Sequence, residues 1–138
     1  NRSDPVSYWR RLVSEPGVSE DNRQALMLIA KGDKQVAVVT NEIVARTLPE
    51  VALMDNYDAE RTPFGITLAP YPTTGSAGIL FDFGNAWPTE LGNLPPEDEL
   101  PDPHSRIAEV DAVQGLIESF FDRGEIIDVC GGDGCRPD

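Results

Sequence analysis

A proline-rich segment constrains the fold of this chain more than any other feature of its sequence. Residues 85–105 read NAWPTELGNLPPEDELPDPHS, with prolines at 88, 95, 96, 101 and 103 and no helical or strand periodicity. Proline lacks a backbone N–H, so it is excluded from helix interiors and from central strands. A loop this long in a compact domain is usually functional or disordered, and the prolines make it stiff. We therefore predict an ordered loop that wraps the domain.

The segment after this loop has the pattern of an amphipathic helix. Its apolar side chains recur at helical spacing and form one stripe: Ile107, Val110, Val113, Leu116, Ile117, Phe120 and Phe121. Asp102 suits the N-cap, Pro103 suits the first turn, and Gly124 suits the left-handed position after the last turn. We therefore predict a long helix that begins at residue 103.

The preceding sequence reads as short strands separated by turns. Residues 25–30 and 36–40 are apolar runs on either side of KGDK, which has the length and glycine of a hairpin turn. Residues 41–48 could extend the second strand or form a short helix that begins a parallel βαβ unit; we favour the strand. Residues 51–54 form a short apolar stretch before a turn, and further strands are predicted at residues 64–69, 78–84 and 125–129.

Together these patterns predict one α+β domain spanning residues 1–138. We expect a mostly antiparallel sheet with the long C-terminal amphipathic helix packed on one face. A short N-terminal helix, capped by Asp4 and stopped by Pro16-Gly17, is predicted beside it. A chain of 138 residues can fold without a disulfide or a metal.

Both cysteines, Cys130 and Cys135, lie in the glycine-rich end of the chain. Their spacing fits neither the C-x-x-C pattern of redox sites nor the paired knuckles of common zinc sites. We therefore predict no metal and no cofactor. Our order of preference is free thiols in a mobile tail at residues 130–138, then a local disulfide, then metal ligands.

The net charge of −13 is concentrated in the C-terminal third of the chain, where thirteen acids and three arginines follow residue 89. Such a field repels nucleic acids and anionic membranes, whereas it attracts basic proteins. A purely solubilising role for the acidity is an equally good interpretation. No apolar run reaches the length of a membrane span, and the sequence sets no oligomeric state.

The sequence contains no signal-peptide pattern, so we expect a cytoplasmic protein. The chain begins with Asn1 and not with Met, so an upstream segment could have been removed. No catalytic motif is recognisable either. A small enzyme with a carboxylate site, using Asp82, His104 and Glu109, is the alternative hypothesis. An accessory protein of a mobile element is a third.

The leading hypothesis is a non-enzymatic domain that binds a basic protein through the segment from Trp87 to Asp102 and the exposed face of the last helix. The predicted contacts are one aromatic anchor and nine carboxylates: Trp87, Glu90, Glu97, Asp98, Glu99, Asp102, Glu109, Asp111, Glu118 and Asp122. An aromatic anchor within a polar rim is typical of protein interfaces. The competing interpretation of Trp87 is that it attaches the loop to the core.

The C-terminal third also resembles the first family of the Imm series of bacterial immunity proteins. The resemblance runs from ILFDFGNAWP through IESFFDRG to EIIDV, with matching positions at Phe83, Gly84, Pro88, Phe120, Phe121, Gly124 and Val129. The family's Arg-Pro after the helix is replaced by Glu125-Ile126, and its last tryptophan by Cys130 or Gly131. These small α+β proteins neutralise polymorphic toxins, so the resemblance implies an inhibitor of a basic toxin.

Overall fold

A computed structural model describes residues 23–48, 51–54, 57, 65–88, 94–131 and 135–136. The predicted N-terminal helix and Glu90 lie outside these residues. The elements, in chain order, are β1 (Leu26–Ala30), α1 (Val38–Thr47), β2 (Ala52–Met54), β3 (Thr67–Ala69), β4 (Thr73–Thr74), β5 (Ala77–Phe81), a 3₁₀-helix (Arg106–Glu109), α2 (Asp111–Arg123) and β6 (Glu125–Ile126).

The main sheet has four strands in the order β1-β5-β2-β3, and all of its neighbouring pairs are parallel. The chain is α+β as predicted, but the prediction of a mostly antiparallel sheet is wrong. Among the described strands, only β4 and β6 pair antiparallel, in a small second sheet. Strand β5 pairs with β1 on one side and with β2 on the other, so it lies in the middle of the main sheet.

The hairpin predicted around KGDK is replaced by a turn that leads into α1. Gly32 has a positive φ of 72°, and the Oδ1 of Asp33 accepts hydrogen bonds from the backbone N–H groups of Gln35 and Val36, both at 2.8 Å. The chain then forms α1 from residue 38, although its β-branched residues resemble a strand. Because α1 carries the chain over the sheet, β2 returns parallel to β1.

The two helices cover opposite faces of the main sheet. On one face, Met27, Leu53 and Leu80 pack in a core with residues of α1. On the other face, Ile79 and Phe81 pack in a second core with residues of the 3₁₀-helix and α2. Strand β5 is buried along its whole length, as expected for a central strand covered on both faces.

Helix α2 has 13 residues and begins at Asp111, so the prediction of a long helix from residue 103 is wrong. The segment before it forms a turn and the 3₁₀-helix, and Val110 adopts an extended conformation that separates the two helices. The predicted end is confirmed, because Gly124 has a φ of 63°. Phe121 does not join the core, since 78% of its surface is exposed.

Cys130 and Cys135 form a disulfide near the end of the described chain, so the preference for free thiols is wrong. Cys135 is buried in the core beneath α2, and its carbonyl accepts the N–H of Asp82 at 2.7 Å. Of residues 130–138, the structure describes 130–131 and 135–136. Among the described residues, no helix is both long enough and apolar enough to cross a bilayer.

Candidate functional site

The carboxyl ends of β1 and β5 lie side by side, and this edge of the sheet carries most of the polar contacts described below. The chain leaves β1 toward α1 on one face, and it leaves β5 toward α2 on the other. In open parallel sheets, ligands bind in the crevice formed where neighbouring connections diverge in this way. From the topology, a ligand site would be expected among the residues that follow Ala30 and Phe81.

In this chain the edge is covered by its own acidic loop, which we define as residues 94–104. At Gly32, a Cβ would lie 2.7 Å from the Cβ of Asn85, 2.8 Å from the carbonyl oxygen of Ala86 and 3.4 Å from the Cγ of Pro96. The backbone after β1 is therefore in direct contact with the acidic loop and with the segment that follows β5. Only glycine fits this approach, for steric and conformational reasons.

The ammonium group of Lys34 binds the acidic loop and is surrounded by three of its oxygen atoms, an arrangement that we call the lysine cage. Its Nζ lies 2.9 Å from the Oδ1 of Asp98, and it donates to the carbonyl oxygens of Asp98 at 3.0 Å and Leu100 at 2.8 Å. An ammonium group has three donors, so this cage satisfies it fully. These contacts fix the backbone of the loop around the positive charge of Lys34.

Asp98, a predicted partner contact, is directed inward and organises the loop. In addition to Lys34, it accepts hydrogen bonds from the backbone N–H groups of Ala86 at 2.9 Å and Leu100 at 3.1 Å, and its Oδ1 lies 3.4 Å from the Nδ2 of Asn85. The hydrogen bond from Lys34, followed by that from Ala86, lowers the pKa of this carboxyl. Asp98 therefore remains ionised and attached at neutral pH.

Asp102 attaches the other end of the loop to the turn after β1. It accepts hydrogen bonds from the backbone N–H groups of Lys34 at 3.2 Å and His104 at 3.1 Å, and from the side-chain amide of Gln35 at 2.9 Å. Burial opposes its ionisation, but the hydrogen bonds and the charge on His104 outweigh burial and lower its pKa. Asp102 is thus a structural carboxylate, and it does not cap the helix that was predicted after it.

His104 pairs with Asp33, a residue that the sequence did not mark as functional. The Nδ1 of His104 lies 2.9 Å from the Oδ2 of Asp33. Asp33 is buried, whereas 38% of the His104 side chain is exposed. The hydrogen bond to Asp33 and the charge of Asp33 raise the pKa of His104, with a smaller contribution from Asp102. The pair joins the C-terminal end of the loop to the turn after β1.

Replacing Asp33 with asparagine is expected to lower the pKa of His104 toward its ordinary value of 6.5, because asparagine keeps the turn but removes the charge. The stability contributed by the pair is present below the unfolded pKa and is lost as the pH rises through the folded pKa. NMR titration of the imidazole ring measures the pKa of His104 in the wild type and in Asp33→Asn. Asp102→Asn is the control and should lower the pKa less; an unchanged pKa in Asp33→Asn would contradict the assignment.

Trp87 lies at the same edge and packs against the core on the α1 side. Its ring centroid is 6.1 Å from that of Tyr57 and 5.7 Å from the Nζ of Lys31. Lys31 also forms an ion pair with Asp82 at 3.0 Å, and the Nε of Arg136 lies 3.8 Å from the same carboxylate. These contacts support the interpretation that Trp87 attaches the proline-rich segment, residues 85–105, to the core.

The remaining described carboxylates of the predicted site face solvent. Glu97 and Glu99 are exposed on the acidic loop, between two exposed leucines, Leu94 at 71% and Leu100 at 44%. On the 3₁₀-helix and α2 the exposed carboxylates are Glu109, Asp111, Glu118 and Asp122. The structure thus divides the predicted contacts into inward carboxylates that hold the loop and outward carboxylates that a partner could reach.

The three candidate residues of the alternative, enzymatic hypothesis occupy different settings. Asp82 is paired with Lys31 and accepts the N–H of Gly84, His104 is paired with Asp33, and Glu109 is exposed. The described part of the chain contains no group of three His, Cys, Asp or Glu side chains that could hold a metal ion. Asp82 and His104 therefore have structural partners, whereas Glu109 faces solvent.

The chain was compared with protein-family models, with curated proteins and with solved structures, and none of the three comparisons gave a match. The function must therefore be argued from the residues and contacts described above.

Proposed function

We propose that this chain is a non-enzymatic binding protein that covers a positively charged surface of another protein. The observation that carries the proposal is the division of carboxylates in the acidic loop. Asp98 and Asp102 are directed inward and fix the backbone, whereas Glu97 and Glu99 are directed outward beside Leu94 and Leu100. The exposed acids are thereby presented on a backbone that is already ordered.

An ordered loop favours binding because its conformational entropy is lost during folding and not during association. The lysine cage, the contacts of Asp102 and the His104 pair each hold a different part of the loop. Exposed leucines next to carboxylates combine an apolar contact with charges that select the partner.

The net charge of −13 acts at longer range than these contacts. A field of this sign accelerates encounters with basic proteins, and the effect decreases as salt screens it. The carboxylates of α2 add to the same field. Neutralisation of a basic toxin is one form of this function, and it agrees with the resemblance to the immunity family.

Reversal of the two outward charges tests the proposal. The partner would be captured from an extract of the source cell at low ionic strength, purified, and its association rate measured with the wild-type chain and with Glu97→Lys/Glu99→Lys. We expect the captured protein to be basic and its association rate to fall about tenfold, because electrostatic steering is removed. Surface plasmon resonance at several salt concentrations measures the rate.

The matched control is Glu97→Gln/Glu99→Gln, which removes the charges without reversing them. Its association rate should lie between those of the other two proteins, and the three rates should converge at high salt. A partner whose association rate is indifferent to both variants and to salt would contradict the proposal. So would a captured partner that is itself acidic.

A further inference from the structure

Phe121 is the most exposed large apolar residue among those described, with 78% of its surface accessible. It lies in the last turns of α2, on the side of the helix that faces solvent. Glu118 precedes it by one turn and Asp122 follows it directly, and both are exposed. Side chains three or four residues apart share a helix face, so Glu118 neighbours both the ring of Phe121 and the carboxylate of Asp122.

The ring of Phe121 is held by its neighbour. Phe120 lies with its centroid 5.7 Å away at an angle of 69°, which is the edge-to-face arrangement that aromatic pairs prefer. Phe120 is half-buried and packs against the core beneath α2. The Phe121 ring is therefore supported by Phe120, while most of its surface remains available for contact.

The only basic residue in α2 is directed away from this aromatic and acidic surface. The guanidinium of Arg123 donates to the Oγ of Ser119 at 2.8 Å, and its Nε lies 3.3 Å from the Oε2 of Glu125. Arg123 is thus engaged with the end of the helix and with β6. At Gly115, on the same face as Glu118, a Cβ would meet none of the described atoms within 4 Å.

We infer that Phe121, Glu118 and Asp122 form a binding site for an arginine side chain of the partner; the inference rests on the proposed function. A guanidinium stacks on an aromatic ring and can donate two parallel hydrogen bonds to a carboxylate. Lysine lacks both the planar surface and the fork of donors. Charge complementarity selects a basic side chain, and the ring selects arginine over lysine.

The chain already contains one contact of the type inferred here. The guanidinium carbon of Arg106 lies 4.5 Å from the centroid of the Phe83 ring. In that pair both members belong to the chain, so the ring of Phe83 is covered by its own cation. Phe121 presents the same chemical group with the cation to be supplied from outside.

The test uses two peptides of equal length and charge, one alternating arginine with glycine and the other lysine with glycine. Isothermal titration at low ionic strength would measure their affinities for the full chain. We expect the wild-type chain to bind the arginine peptide about two- to five-fold more tightly, the range for an exposed cation–π contact. The ring resonances of Phe121 should shift with the arginine peptide.

Phe121→Leu keeps an apolar side chain in the helix but removes the ring, so the arginine preference should disappear. The control is Glu97→Lys/Glu99→Lys, which should weaken both peptides and retain their ratio. Equal affinities of the two peptides for the wild type, or an arginine preference that survives in Phe121→Leu, would overturn the arginine site. The proposed function would still be supported in that case if both peptides bound in a salt-sensitive way. If neither peptide bound at low ionic strength, both proposals would fail.

Discussion

Replacing Gly32 with alanine is expected to lower the free energy of unfolding by roughly 3 to 5 kcal/mol, because two separate costs combine at this position. The first is conformational, since Gly32 has a φ of 72°, a region that L side chains rarely adopt. The second is steric, because the new methyl group would lie 2.7 Å from the Cβ of Asn85 and 2.8 Å from the carbonyl oxygen of Ala86. Relief of the second contact requires movement of backbone.

Gly131→Ala is the matched control, because Gly131 has a φ of 68° and a Cβ there would meet no described atom within 4 Å. It carries the conformational cost alone, about 1 to 2 kcal/mol. Urea unfolding of both variants measures the difference, which reports the contact between the turn after β1 and the segment that follows β5. Equal losses in the two variants would show that this contact contributes nothing to stability.

Leu116→Ala is expected to lower the free energy of unfolding by about 3 kcal/mol. Leu116 is fully buried in the core beneath α2, where it belongs to the same cluster as Ile79 and Phe81. Truncation removes buried methyl groups and leaves a cavity, because the surrounding strands are fixed by their hydrogen bonds. Thermal or urea denaturation provides the measurement.

Phe121→Ala is the control for Leu116→Ala in the same helix, and we expect it to cost less than about 0.5 kcal/mol. The larger side chain is removed, yet most of its surface is already in water. A cost for Phe121→Ala that equalled the cost for Leu116→Ala would contradict the assignment of the two faces of α2. The pair also separates the stability of the helix from its proposed role in binding.

The positions of strands were more predictable from the sequence than their directions. Residues 26–30, 67–69 and 77–81 form strands within or near the predicted ranges, and the strand at 52–54 lies in a segment that was recognised only as apolar. The parallel direction was missed because Val38, Val39 and Thr40 favour a strand locally, whereas the structure buries Val38, Val44 and Ala45 together on one face of a helix. The alternative prediction, a short helix at residues 41–48, was the correct one, since α1 spans Val38–Thr47.

The last helix shows a second limit of pattern reading. Its apolar stripe was predicted as a single face, yet Phe121 lies outside the core while the adjacent Phe120 lies partly inside it. Two adjacent residues are about 100° apart on a helix, so both cannot point to the centre of one face. The helix start was misplaced because Asp102 is a residue type that commonly caps helices. In the structure it accepts hydrogen bonds from Lys34, Gln35 and His104.

The candidate site was predictable as a region but not as a set of roles. Charge and proline content marked this part of the chain as a distinct element, whereas no sequence signal distinguished Asp98 from Glu97 or Glu99. The difference depends on Lys34 and Asp33, which are distant in sequence. Their only signal was their position in GDK, directly after an apolar strand whose carboxyl end faces the loop.

The central position of β5 has a consequence for the order in which this protein can be assembled during synthesis. In the described sheet, β1 hydrogen-bonds only to β5, and β2 lies beyond it. A nascent polypeptide that has emerged only as far as residue 76 therefore contains β1, β2 and β3 but lacks the strand that joins them. Until residues 77–81 leave the ribosome, β1 has no described strand partner, and its apolar side chains depend on α1 or on a chaperone for cover.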